Sequence, residues 1–152
     1  MSDWRRIDID GFDPDCRLTA KDLIPDYDRE ISLQELQPKI EQLRMLSSGG
    51  DIRGAIQLIT EDPPYSADEN TKKAYFHVVL ETLSQVRQAD IVNIVKELRV
   101  EQQVVLVKYL YKGMSLPEGQ KQGGILLAWF EKLTQSSGVT PIIHYLSDRR
   151  TV

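Results

Sequence analysis

Apolar residues recur at steps of three and four along most of this chain, which is the spacing of amphipathic helices. The first such stripe consists of five aliphatic side chains: Leu33, Leu36, Ile40, Leu43 and Leu46. Ser32 and Glu35 have capping-box spacing at its start, but Pro38 would then lie inside the helix at a cost of about 3 kcal/mol. We therefore expect the first helix to begin at Pro38, with residues 1–37 as an extended tail and linker and residues 38–152 as a helical domain.

The next two helices are predicted from residues that are typical of helix ends. Asp51 is a preferred N-cap residue, and the double proline Pro63-Pro64 ends the helix that follows it. Ser66 and Glu69 have the spacing of a capping box before a longer third helix. The inward face of this third helix is apolar and consists of Phe76, Val79, Leu80, Leu83 and Val86. We expect that face to pack in the core.

The most apolar segment of the chain is VVLVKYLY, residues 104–111. A strand is possible on composition, but no partner strand is evident, so a buried central helix is the preferred interpretation. We expect Gly113 to end this fifth helix, and Asp90 to cap the fourth helix before it.

Two more helices complete the prediction, one over about residues 120–135 and a short one over residues 140–147 that starts with Thr-Pro. Helices joined by short loops indicate an all-α fold of about seven helices. Similar Ile-rich helix starts at Asp51 and Asp90 are spaced like the units of helical-repeat proteins. An α-α superhelix and an irregular bundle both remain open.

Charge is distributed unevenly along the chain. Residues 1–30 hold nine acidic and five basic side chains, whereas residues 31–152 hold fourteen of each, so the net charge of −4 lies in the tail. A neutral body without a basic stripe argues against a nucleic-acid partner. Neither a long apolar run nor a signal-like leader is present, and the single Cys16 fits a reducing compartment, so we expect a soluble intracellular chain with no membrane partner.

Three patterns that carry chemistry in other proteins lack the required spacing here. Four aspartates do not match the ligand positions of a calcium-binding loop: Asp8, Asp10, Asp13 and Asp15. The glycine-rich residues 119–124 are not followed by the lysine and hydroxyl residue of a phosphate-binding loop. His77 and His144 lie far apart in sequence, and no serine or cysteine has a nucleophile setting. We therefore expect no catalytic activity, no metal and no cofactor.

Two regions remain as candidates for binding a protein partner. In the fifth helix, Tyr109 and Tyr111 face different directions and are flanked by Lys108 and Lys112, so this corner is either solvated or covered by another chain. Core packing is the competing interpretation of these aromatic residues. In the tail, residues 3–15 read DWRRIDIDGFDPD and place four large apolar side chains among acidic ones. The helical body does not obviously need them, which favours a peptide that binds a partner.

The whole chain resembles the family of subunit 5, the small p16 subunit, of the actin-related protein 2/3 complex, and most closely its fungal members. Five stretches carry the resemblance: WRRIDIDGFDPD near the start, DPPYSAD at 62–68, QVRQADI at 85–91, LVKYLYKGMS at 106–115 and GVTPIIHYLSDRRTV at 138–152. The run around KYLYKG and the terminal RRTV are the most specific of these.

The resemblance implies an α-helical, non-catalytic structural and regulatory subunit of an assembly that nucleates branched actin filaments in the cytoplasm, at the cortical actin cytoskeleton. It implies that the body docks on subunit 4 and on the β-propeller subunit 1, with the surface near Lys108, Tyr109, Tyr111 and Lys112 as a possible contact. The tail is implied to tether actin-related protein 2 through Trp4, Arg5, Arg6, Ile7, Asp8, Ile9, Asp10 and Phe12. No cofactor is implied for this chain, since ATP belongs to the actin-related subunits. The alternative is a helical-repeat adaptor subunit of another cytosolic assembly.

Overall fold

The computed structural model describes Gly11, Thr19, Asp22, Pro25, Tyr27 and residues 29–152. Within this part of the chain there are eight helices and no strands: α1 (Leu33–Ser48), α2 (Ile52–Glu61), α3 (Glu69–Ser84), α4 (Gln88–Glu97), α5 (Val100–Ser115), α6 (Pro117–Gln120), α7 (Gly123–Ser137) and α8 (Thr140–Ser147). The predicted all-α class is confirmed. The helix predicted over about residues 120–135 corresponds to α7, the short α6 before it was not predicted, and α8 starts with Thr-Pro as predicted. None of the helices in this part is long and apolar enough to span a membrane.

Helix α5 lies at the centre of the body. Every residue from Gln102 to Leu110 is buried, which confirms the prediction of a buried central helix. It packs against α2, α3, α6, α7 and α8. The apolar face predicted for the third helix is also buried: Phe76, Val79, Leu80 and Leu83 in α3, and Val86 two residues beyond its end. The core therefore forms where α3 and α5 meet the shorter helices.

The prediction that the first helix begins at Pro38 is wrong, because α1 begins at Leu33 and contains the proline. Its first turn is stabilised by Ser32, whose backbone N–H donates to Glu35 Oε2 at 3.3 Å, and by an ion pair between Glu35 and Arg29. Leu36, in the same turn, is buried in the body. Capping and burial together offset the cost of the interior proline, which periodicity alone could not weigh.

The caps of α2 and α3 are both aspartates. Asp51 Oδ1 accepts from the backbone N–H of Gly54 at 3.0 Å, as predicted. In α3 the N-cap is Asp68, whose Oδ1 accepts from Thr71 N at 3.2 Å, so the expected capping box at Ser66 does not start this helix. The chain turns through Ser66 first, because it has just left the double proline.

The prediction that Asp90 caps α4 is wrong. Its N-cap residue is Arg87, and Asp90 lies inside the first turn, where a carboxylate still interacts favourably with the helix dipole. The resemblance between the helix starts at Asp51 and Asp90 is therefore not a repeat of the same cap. At the other end of α4, Gln103 Nε2 donates to the carbonyl oxygens of Val95 and Leu98, each at 3.1 Å.

Gly113 was expected to end the fifth helix, but α5 continues through it to Ser115. Gly113 is buried, and a Cβ atom there would lie 2.8 Å from Leu126 Cδ1. A Cβ at Gly119 would fall directly against the carbonyl oxygen of Gly113. The two glycines therefore let α6 and α7 approach the end of α5 closely.

We predict that Gly119→Ala lowers the free energy of unfolding by about 1–3 kcal/mol, because the new methyl group meets main-chain atoms that cannot rotate away. The matched control is Gly124→Ala in α7, where a Cβ has no neighbour within 4 Å. That change should be neutral or stabilise the protein by up to about 1 kcal/mol. Urea unfolding of both variants measures the difference, and equal stability would show that α6 does not press on α5.

Candidate functional site

The C-terminal segment, residues 148–152, lies against α5 and is held there by a buried lysine. Lys108 is 3% exposed, and its Nζ donates to Asp148 Oδ2 at 2.8 Å, to the carbonyl oxygen of Arg150 at 2.8 Å and to the Tyr65 hydroxyl oxygen at 3.1 Å. An ammonium group has three N–H donors, and each of them has an acceptor here. Lys108 is therefore fully engaged by its own chain.

The carboxylate of Asp148 joins two cations. Besides Lys108, it accepts from Arg150 Nε at 3.1 Å and from Arg150 Nη2 at 2.9 Å. Burial would raise the pKa of Asp148, but the hydrogen bonds from Arg150 and Lys108 outweigh burial and hold that pKa well below its ordinary value. Burial lowers the pKa of Lys108, and the bond to Asp148 opposes this. We regard the pair as charged at neutral pH, because every ammonium donor has an oxygen partner.

Tyr65 contacts both cations of this cluster. It follows the double proline after α2, where its backbone N–H donates to the carbonyl oxygen of Pro63 at 2.8 Å and fixes the turn. Lys108 Nζ lies 4.3 Å and Arg150 Cζ 4.9 Å from the centre of its ring, within the range of cation–π attraction. Burial raises the pKa of Tyr65 to about 12, so the hydroxyl keeps its proton at neutral pH.

Two further lysines bind the end of the segment. Lys72 Nζ of α3 donates to Thr151 Oγ1 at 3.2 Å, and Lys112 Nζ of α5 donates to the main-chain oxygen of Val152. Burial lowers the pKa of both lysines. The side chain of Val152 is buried in the hydrophobic core. Polar contacts on one side and apolar burial on the other thus fix residues 148–152 on α3 and α5.

An aromatic cluster closes the same corner. The rings of Tyr111 and Tyr145 are stacked with centroids 4.6 Å apart, and Phe130 meets Tyr111 edge-on at 5.5 Å. These three residues belong to α5, α8 and α7, so the cluster joins those helices.

The four body residues proposed for partner binding therefore lie together, but they mostly face the interior. Lys108 and Tyr109 are buried, whereas Tyr111 and Lys112 are half-buried. The corner is covered by α8 and residues 148–152 of the same chain, not left to solvent. Partner binding by these four residues stays a prediction.

The tail residues proposed for partner binding lie outside the described residues: Trp4, Arg5, Arg6, Ile7, Asp8, Ile9, Asp10 and Phe12. Four residues of the contact between the body and the C-terminal segment were not predicted from the sequence: Tyr65 and Lys72 of the body, and Asp148 and Arg150 of the segment. One signal could have found them. Lys108 and Lys112 are one turn apart at the end of a largely apolar run of α5, and buried ammonium groups require oxygen partners.

Two clefts flank the C-terminal segment, with volumes of about 530 and 500 Å³, and both are lined by Asp148 and Arg150. His144 lines the first, and Tyr145 and Lys112 line the second. Among the residues that the structure describes, no three His, Cys, Asp or Glu side chains are placed to hold a metal ion. The charged groups at this site bind chain segments to one another, which is a structural role.

Helix α8 presents an apolar face to solvent. Val139, Ile143 and Leu146 are 65%, 59% and 75% exposed, and their spacing of four and three residues places them on one side of the helix. Clustered apolar exposure of this kind is typical of surfaces that contact other proteins.

We predict that Tyr109→Phe stabilises the protein by about 1 kcal/mol. The hydroxyl of Tyr109 is buried without a hydrogen-bond partner among the described residues, so its removal relieves a desolvation cost. The matched control is Tyr65→Phe, which removes a hydroxyl that accepts from Lys108 and should destabilise by about 1.5 kcal/mol. Thermal unfolding of both variants reports the signs, and a loss of stability in Tyr109→Phe would contradict the assignment.

We predict that Asp148→Asn costs about 2 kcal/mol at pH 7, because it leaves Lys108 and Arg150 without their counter-charge. The folded-state pKa of Asp148 lies below the unfolded value of about 3.9. Its stabilisation is therefore present above about pH 4 and is lost as the pH falls through the folded-state value. Urea unfolding at several pH values should show wild type and variant converging in acid. Glu41→Gln, a control at an exposed carboxylate in the middle of α1, should change stability by less than about 0.5 kcal/mol.

Comparison with known proteins gives the chain a family. Residues 3–152 match the family described as "ARP2/3 complex 16 kDa subunit (p16-Arc)". The chain is 66% identical over 152 residues to "Actin-related protein 2/3 complex subunit 5" of Saccharomyces cerevisiae, covering 99% of each chain. It is 27% identical over 150 residues to subunit 5-C of Xenopus laevis, covering 98% of this chain and 94% of that protein. It is also 27% identical over 154 residues to the human subunit 5-like protein, covering 99% and 95%. The chain belongs to the family of the 16 kDa subunit (p16-Arc) of the ARP2/3 complex.

Proposed function

We propose that this chain is a structural and regulatory subunit, without catalytic activity, of the actin-related protein 2/3 complex, and that it supports nucleation of branched actin filaments. The observation that carries this proposal is the 66% identity over the full chain to subunit 5 of the yeast complex. Family membership supports a location in the cytoplasm with the actin cytoskeleton. Its placement at cortical actin is part of the proposal.

The chemistry of the body fits a structural role. Its most buried charged group, Lys108, is bound to three oxygens of its own chain, and Asp148 is bound to two cations. Groups held in this way are poor candidates for proton transfer to a substrate, since moving a proton would break the contacts that fix residues 148–152. These contacts hold the helical body in one shape, which is what a subunit between larger partners requires.

We propose that the body contacts subunit 4 and the β-propeller subunit 1. Support comes from the apolar face of α8, which this chain leaves exposed at Val139, Ile143 and Leu146. Because Lys108 and Tyr109 are buried, direct contacts in the predicted corner would be made by Tyr111 and Lys112.

We propose that the tail tethers actin-related protein 2 through Trp4, Arg5, Arg6, Ile7, Asp8, Ile9, Asp10 and Phe12. The folded body begins with α1 at Leu33, so we place the boundary between tail and domain there and not at residue 38. About 20 residues separate Phe12 from α1, and an extended chain of that length reaches roughly 70 Å. A tether anchored by the body raises the local concentration of the tail motif to the mM range, which makes a weak contact dependable.

We predict that deletion of residues 1–12 leaves the body in the complex but weakens retention of actin-related protein 2 and slows branched nucleation. The reason is that the intramolecular advantage of the tether is lost. Co-purification with a tagged subunit 4 and a pyrene-actin assembly assay measure the two effects. Two double variants distinguish the apolar from the acidic side chains of the tail. Trp4→Ser with Phe12→Ser should reproduce the effect of the deletion, whereas Asp8→Asn with Asp10→Asn should have the smaller effect.

Unchanged retention and unchanged nucleation in the deletion would remove the tether. If a tagged full chain instead co-purifies with proteins unrelated to actin, the adaptor alternative replaces the whole proposal.

A further inference from the structure

The residues that lead into α1 contact the opposite end of the chain. Asp22 closes a short turn with Thr19: its carboxylate accepts from Thr19 N at 2.6 Å and from Thr19 Oγ1 at 2.7 Å, and its own N–H donates to the Thr19 carbonyl oxygen at 3.0 Å. We call Thr19, Asp22 and Tyr27 the tail root. The carboxylate of Asp22 is occupied inside this turn, which leaves the carbonyl oxygen of Asp22 available as an acceptor.

That carbonyl oxygen is bound by the C-terminal segment. Arg149 Nη1 donates to it at 3.3 Å, across 127 residues of sequence. Arg150 and Asp148 are also among the charges that act on the ionisation of Tyr27. Burial raises the pKa of Tyr27, and the nearby charge of Arg150 opposes that rise. The Arg149–Asp22 hydrogen bond is thus the direct contact between the tail root and residues 148–150.

The C-terminal segment is a firm support for such a contact. Asp148 and the carbonyl of Arg150 are bound by Lys108, so the backbone on both sides of Arg149 is fixed to α5. Val152, three residues further, is buried in the core. Asp22 is only eleven residues before Leu33, so closing this loop costs little chain entropy. A single hydrogen bond is sufficient to bias the position of such a short connection.

We infer that Arg149 is a positioning residue: it fixes the tail root on residues 148–152 and so sets the place on the body from which the N-terminal residues depart. The chain at Asp22 is thereby held beside the C-terminal segment. The biological role of this contact rests on the proposed tethering function. The contact itself lies within this chain and needs no partner.

The test uses the single cysteine of the chain, Cys16, which lies three residues before Thr19. A fluorescent maleimide on Cys16 of the purified full chain reports tail mobility through its anisotropy. Arg149→Ala should lower the anisotropy. The ratio of molecules with a detached tail root to molecules with a bound one should rise about fivefold, because one hydrogen bond is lost. Arg149→Lys should restore most of the wild-type value, because its ammonium still donates to a carbonyl oxygen.

The matched control is Arg53→Ala, which removes another exposed arginine, one paired with Glu97 at 2.9 Å on α4. It should leave the anisotropy unchanged, and circular dichroism should show the same helix content in all variants. Wild-type anisotropy in Arg149→Ala, or an equal fall in Arg53→Ala, would overturn the inference. No partner protein is present in this measurement, so its outcome does not depend on the tether. The deletion of residues 1–12 tests the tether, and the label on Cys16 tests the role of Arg149.

Discussion

The ammonium group of Lys108 is the interaction on which the rest of the body depends. It is almost completely removed from water, and only the oxygens of Tyr65, Asp148 and Arg150 replace its hydration. Breaking a buried ion pair by removing one partner is strongly destabilising, because an uncompensated charge stays behind. The turn after α2 and residues 148–152 are therefore held to α5 as one unit.

Around this cluster, the fold is arranged so that one helix touches most of the others. Helix α5 has no solvated face over most of its length, and small residues at Gly113 and Gly119 let α6 and α7 approach it. On the far side, Trp129 Nε1 donates to the carbonyl oxygen of Leu83 at 3.1 Å and ties α7 to the end of α3. Several of the polar side chains that these helices bury are bound within the chain, and α8 carries three exposed apolar residues on one face.

This division matches what a small subunit of an assembly requires. A body whose buried charges are bound internally keeps its shape when other chains cover its surface. The contact between Arg149 and Asp22 links the two parts, since it connects the most firmly held end of the chain to the start of the tail. Arg149 therefore contacts the chain before α1, while its neighbours Asp148 and Arg150 bind the body.

The sequence by itself determined the all-α class, the apolar face of α3, the Asp51 cap and the buried α5, because these follow from periodicity and from interactions over three or four residues. It misplaced the start of α1 because the burial of Leu36, a tertiary effect, offsets the cost of Pro38. It also took Gly113 for a helix end, since only the packing of α6 and α7 shows why a glycine is needed there.

The hydrogen-bond partners of Lys108 could not be predicted from the sequence for a similar reason. Sequence shows that a lysine on an apolar helix needs acceptors, but the acceptors lie 40 or more residues away, at Tyr65, Asp148 and Arg150. Only the packed fold decides which oxygens a buried charge meets, because its desolvation must be compensated in three dimensions and not along the chain.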